Sequence, residues 1–433
     1  MTIPGSPAAT RLIRGIGRWD LVALTINGVI GAGIFGLPSR VYGLLGVYSL
    51  VSFVVCALVV GLIVVCFAEV ASRFRETGGP YLFARAAFGP LVGFEVGWLI
   101  WLARLTAFAA NCNLFVEYLS YFWPEATTSW FRPAIITTVV LFFTVINIVG
   151  VRNAALFSDV FTIGKLLPVF IFIAVGLFFI MPANFAAGVA PGSFAFSNSV
   201  LLLVYAFTGF EIAIIPSGEI RDPQRNLPFA LLTSIGVIAV TYLLIQIVCI
   251  GTLSTLASSS RPLVDAANQF LGTAGATLIT AGVLVSIAGN LSVILLAGSR
   301  LPFAMARENE LPAWLGVTHS RFHTPHLSIL VTAGIILVVT VSGSFIYALT
   351  ISTLARLVAY MITCAALPLL RRREHELPAQ FRVPGGPVVV ALALTLSFWL
   401  LSNSTRREAR DTLIAATVGL IVYAVHRLRK SAQ

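Results

Sequence analysis

Apolar runs of about twenty residues recur along this chain, separated by short polar connections, and each is long enough to cross a bilayer as a helix. Twelve such spans are predicted, at roughly 19–44, 46–71, 88–120, 133–151, 155–181, 194–217, 227–253, 274–304, 326–343, 345–370, 385–402 and 410–428. Two of them interrupt themselves. The first carries Gly28, Gly31, Gly33 and Gly36 with Pro38, although each interior glycine costs a helix about 1 kcal/mol against alanine. It is therefore expected to form two half-helices around unwound backbone. The sixth repeats the pattern with Gly209 and Glu211 in mid-span. Non-helical peptide groups at membrane depth persist only where protein, water or a ligand satisfies them, and in transporters such interruptions mark a binding cavity.

Composition agrees with a multi-span membrane protein. Hydrophobic residues make up 58% of the chain, charged residues 10%, and mean hydropathy is +0.95, against about 25% charged in soluble domains. The first eighteen residues are polar, with Arg11, Arg14 and Arg18, and lack the apolar core of a secretory signal. The net charge of +11 does not imply nucleic acid, because most basic residues fall in the loops on one side. That bias places the N- and C-termini in the cytoplasm by the positive-inside rule, with the loop Arg406 to Arg410 as the exception. The five cysteines lie in apolar spans and read as packed hydrophobes. His319, His323 and His326 read as a solvated loop. Asn403-Ser-Thr matches a glycosylation sequon, expected to be idle in a chain whose arginine bias suggests a bacterial source. No catalytic, metal or cofactor site is expected.

Gly31 precedes Pro38-Ser39 by seven residues, as Gly209 precedes Pro216-Ser217. The copies stand five spans apart, an odd number, so they enter the membrane from opposite sides as an inverted repeat requires. The segments GVIGAGIFGLPS at 28–39, FAEVASRFRETGGPYLFARAAFG at 67–89, AFTGFEIAIIPSGEIRDPQRNLPFAL at 206–231 and GSRLPFAMARENELP at 298–312 resemble the amino acid, polyamine and organocation transporter superfamily. The resemblance covers nearly the whole chain and implies an all-α membrane protein of twelve transmembrane helices with a LeuT-like five-plus-five inverted repeat. Its parts are then a cytoplasmic tail (1–18), repeats at 19–181 and 194–371, two further helices (385–428) and a cytoplasmic tail (429–433).

A broken first span leaves amides free near Ala32 to Phe35, where the helix dipole favours an anion, and carbonyls free near Asn27 to Ile30. Those poles suit a zwitterion; the plainer alternative is that the glycines let helices pack closely. The resemblance implies a substrate carboxylate on the Gly31-Ala32-Gly33 amides and an ammonium on carbonyls of Val29, Ile30, Ala206 and Thr208. It also makes Tyr205 similar to an outer gate and Phe207 a pocket residue, although aromatics in apolar helices are more often core. Glu211 is open between proton carriage and pairing with an intramembrane arginine.

Lys165 resembles the lysine of sodium-independent family members, whose ammonium stands in for sodium. It is open between releasing a proton, acting as a fixed cation and snorkelling to the cytoplasmic face. Arg104 is open between reading a substrate side-chain carboxylate and pairing with Glu211, Glu95 or Glu117. Arg356 is a further buried cation, Asn290 and Thr25 are open between ligand and packing, and Glu69, Glu219, Asp222 and Arg225 between an inner gate and loop solvation.

The expected function is a sodium-independent amino acid permease of the inner membrane. It takes neutral amino acids, driven by protons or exchange, as spans one, two, six and seven rock against three, four, eight and nine. Its partners are a small-molecule amino acid and the lipid bilayer, with no nucleic acid and no evident partner subunit. A polyamine or other amine permease is the alternative, and a non-transport membrane scaffold the distant one.

Overall fold

The computed structural model describes residues 16–75, 78–149, 166–186, 188, 190–215, 217, 220–373 and 375–431, without the side chains of 429–431. The described residues are helical apart from connections and a single bridge between Ile16 and Ile220. In chain order the helices are α1 (Arg18–Val29), α2 (Ala32–Leu45), α3 (Ser49–Ala71), α4 (Pro80–Phe88), α5 (Pro90–Leu119) and α6 (Phe131–Val149). They continue with α7 (Leu166–Phe179), α8 (Ser193–Phe207), the single turn α9 (Glu211–Ile214), α10 (Pro223–Thr252) and α11 (Pro262–Arg307). The last four are α12 (His326–Ser342), α13 (Phe345–Arg372), α14 (Gly386–Ser402) and α15 (Arg406–Ser431).

Among the described residues, eight stretches are long and apolar enough to cross a membrane, and α7, α12 and α14 are shorter apolar helices. Among the described residues the helices overlap the expected spans, with the start of the fifth (155–165) outside those residues and with two adjustments. The first break falls at Ile30–Gly31, and Pro38 sits inside α2 rather than in the interruption. Residues ahead of the eighth expected span join α11 through a bend at Gly272, whose φ of 65° only glycine adopts readily.

Helix α5 is the centre of the bundle, packed by α13, α11 and α12, while α3 packs on α10. The most apolar windows of α5 and of the α8–α9 stretch are 89% buried, whereas those of α6 and α15 are 28% and 17% buried. That contrast separates helices that carry the interior from helices whose leucines, valines and phenylalanines face outward, as they would toward lipid. Leu141, Phe142 and Val145 on α6 are all more than half exposed. The five cysteines are buried and unpaired.

Candidate functional site

Helix α1 packs on α9 and α2 packs on α8, so the two interrupted elements run antiparallel and their breaks meet. Extended backbone at Ile30 and Gly31 makes the first break, and Thr208 with Gly209 makes the second. Gly209 has a φ of 114°, and a Cβ there would stand 2.3 Å from the Gly28 carbonyl oxygen. A Cβ on Gly33 would stand 2.6 Å from Ala206 Cα. These glycines let two backbones touch.

The freed carbonyls already have donors. Tyr242 on α10 donates its hydroxyl toward Ala206 O at 3.0 Å and Val29 O at 3.3 Å, so one side chain joins both breaks. Asn290 on α11 donates to Ile30 O at 3.3 Å. At the other pole Gly31 caps α2 with extended backbone and no side-chain partner, which leaves the first amides of that helix facing a small cavity.

This cavity holds about 40 Å³ and is bordered by the two breaks, α5, α11 and α13. Since one water needs about 10–15 Å³ of such volume, an amino acid enters only if the surrounding helices separate. Of the residues expected at the site, Val29, Gly31, Ala32, Gly33, Tyr205, Thr208 and Arg104 border the cavity. Ile30 and Ala206 stand behind it, engaged through their carbonyls. Phe207 does not line it: fully buried, it packs edge-on against the Tyr242 ring with centroids 5.1 Å apart. Lys165 lies outside the described residues. Tyr205 is fastened to α5, accepting from Asn111 Nδ2 at 2.9 Å.

Glu211 lies behind the cavity wall and is saturated. Its Oε1 accepts from Arg356 Nε at 3.1 Å, and its Oε2 accepts from the Gly209 amide at 3.0 Å and the Tyr360 hydroxyl at 2.7 Å. Arg356 also donates Nη1 to Thr208 Oγ1 at 3.1 Å and Ser352 Oγ at 2.9 Å. This cluster ties α13 to the second break.

Arg104 differs. It is 1% exposed, and none of its three guanidinium nitrogens has a hydrogen-bond partner. The pairing weighed for it is therefore not formed as a hydrogen-bonded contact: Glu211 is committed to Arg356, and half-buried Glu95 has both carboxylate oxygens unpartnered. Glu117 stands thirteen residues along the same helix, about 20 Å away at the α-helical rise. Asn290 borders the cavity, whereas Thr25 bonds its own helix at Leu21 O, 2.7 Å away.

A second polar region closes the end where α3 finishes and α10 begins. Buried Glu69 accepts from Arg73 at 2.9 Å, from Arg371 at 2.6 and 2.8 Å and from the Val383 amide at 2.8 Å. Arg75 donates to Gln224 at 2.9 Å, and Arg85 with Tyr81 holds Glu310 at 2.9 Å. Asp222 and Arg225 approach only to 3.8 Å and are exposed, and Glu219 lies outside the described residues.

Tyr242, Asn111 and Tyr360 are site residues that the sequence did not single out. Each is a polar group in an apolar helix, and no local pattern marks which of them turns inward.

Residues 16–424 match the family described as amino acid permease. The chain is 27% identical to a methylthioribose transporter of Bacillus subtilis, over 99% of this chain and 97% of that protein. It is 26% identical to a branched-chain amino acid permease of the same organism, over 97% and 94% of the two chains. A serine/threonine exchanger of Bacillus subtilis is likewise 26% identical, over 97% and 98%.

Proposed function

Because this multi-pass membrane chain belongs to the amino acid permease family, we propose that it carries amino acids across the cytoplasmic membrane by alternating access, binding them between its two broken helices. The observation that carries this reading is the contact of two antiparallel breaks, which sets the uncovered N-terminus of α2 beside the carbonyls of Val29, Ile30 and Ala206. One pole attracts a carboxylate and the other an ammonium. The Gly31, Ala32 and Gly33 amides take the first, and carbonyls of Val29, Ile30, Ala206 and Thr208 take the second as Tyr242 and Asn290 give way. The breaks thus recognise what all α-amino acids share and leave the side chain to the remaining wall.

The wider arrangement proposed with it is twelve spans in a five-plus-five inverted repeat, with both termini cytoplasmic and Tyr205 as an outer gate. Glu69 with Arg371 and Arg85 with Glu310 form the inner closure. Lys165 serves coupling by a proton or a fixed charge, and the carrier is independent of sodium. Glu211 acts as a strut that holds the second break. A polyamine is disfavoured because it brings no carboxylate for the α2 amides and meets two arginines at the cavity. The printed names of two relatives, a branched-chain amino acid permease and a serine/threonine exchanger, favour amino acid cargo.

Uptake of labelled amino acids into proteoliposomes tests the proposal. An imposed proton gradient or preloaded amino acid should drive uptake with no sodium requirement, and Lys165→Ala should lower coupling more than binding. Uptake of polyamines alone, or of nothing, would refute the reading.

A further inference from the structure

The charges at the cavity do not balance. Arg104 and Arg356 border it, and Glu211 forms its contact ion pair with Arg356 and reaches Arg104 only through space, so one buried guanidinium remains without a hydrogen-bonded counter-charge among the described residues. Arginine does not escape this by losing its proton, since the guanidinium stays charged in proteins. A buried, unpaired guanidinium is costly, and the cost is met when a fixed anion and its hydrogen bonds are supplied. Nothing in the described wall supplies them. All three of the Arg104 nitrogens are available as donors.

The same helix face orders the cavity. Arg104, Ala107 and Asn111 all border it and stand at helical positions i, i+3 and i+7 of α5, which lie on one side of a helix. Asn111 is the end near the first break, because its Oδ1 would lie 3.9 Å from a Cβ on Gly31. Arg104 is two turns away, about 10 Å along the axis, a span that the arginine side chain and a four- or five-carbon substrate together bridge.

We infer that the preferred cargo is an amino acid with a carboxylate side chain, its second carboxylate bound by Arg104 while its backbone groups occupy the breaks. This rests on the amino acid reading above and narrows it. A neutral zwitterion would leave Arg104 uncompensated, whereas a substrate of net charge −1 brings Arg104, Arg356 and Glu211 to neutrality. The planar guanidinium offers paired donors that match a carboxylate and have no equal partner in a terminal amide.

Equilibrium binding to the purified full-length protein near pH 7 decides the matter, with L-glutamate, L-glutamine, L-aspartate, L-asparagine, L-leucine and L-serine as probes. At least one acidic amino acid should bind ten-fold or more tightly than its amide, and Arg104→Gln should erase that ratio while keeping affinity for the amide within about three-fold. Equal or tighter binding of the neutral set by the unaltered protein overturns the inference and leaves the permease reading standing. Binding of none of the six defeats both. The glutamate to glutamine ratio is read on the unaltered protein, so a poorly folding variant does not obscure the result.

Discussion

Glu211 and Arg356 meet at 3.1 Å, both buried, at the point where α8 gives way to α9. The pair is a tie between α13 and a stretch of backbone with no helix of its own, because Glu211 also holds the Gly209 amide. Removing one partner strands the other in a dry interior, which costs about 3–5 kcal/mol. Arg356→Gln should therefore lower thermal stability sharply, and Glu211→Gln/Arg356→Gln should recover part of the loss. A double variant no more stable than Arg356→Gln would show that the charges are not coupled in this way.

Tyr242 gives one hydroxyl to both breaks. Tyr242→Phe keeps the ring against Phe207 but leaves the Val29 and Ala206 carbonyls without that donor, at a cost of about 1–3 kcal/mol. The ligand-free protein should melt earlier, and the stabilisation brought by substrate should grow, since its ammonium meets carbonyls that are no longer occupied. An unchanged ligand-free melting temperature would remove Tyr242 from this role.

Two glycines of the first break should respond differently to a methyl group. At Gly33 the new atom meets Ala206 backbone at 2.6 Å, whereas at Gly31 it meets the movable Asn290 amide nitrogen at 2.1 Å. Overpacking against backbone costs about 1–3 kcal/mol. Gly33→Ala should abolish uptake with membrane insertion intact, and Asn290→Ala should restore activity to Gly31→Ala but not to Gly33→Ala. Equal rescue of both would contradict the packing described.

Glu310, in the connection after α11, is 6% exposed and bonded to Tyr81 and Arg85. Burial raises its carboxyl above the usual range against the opposing pull of Tyr81 and Arg85. The folded protein thus binds this proton at a higher pH than the unfolded chain does. Stability should increase as pH falls through the raised value, with the gain complete below the ordinary carboxylate value. Melting curves between pH 7 and pH 4 should show this gain in the unaltered protein relative to Glu310→Gln. A difference between the two that does not vary with pH would contradict the assignment.

The apolar helices and both interruptions were legible because length, hydropathy and mid-span glycine are local properties. Pro38 misled slightly: its missing donor was grouped with the break, yet α2 accommodates it. What the sequence could not supply was facing. In helices that are apolar all round, periodicity does not say which side turns inward, so Tyr242, Asn111 and Tyr360 gave no signal. Arg104 and Arg356 were both visible as buried cations, but which of them held Glu211 depended on how α5 and α13 pack around α8 and α9. Composition is silent on that packing.

Binding of a transported amino acid, compared with the amine that lacks its α-carboxylate, tests the central claim most directly. Seating of that carboxylate on the Gly31 to Gly33 amides predicts that the amine loses affinity by about a hundred-fold or more, as expected when a charge-assisted set of hydrogen bonds disappears. An amine that binds as tightly as its parent amino acid would mean that the broken helices do not read a carboxylate.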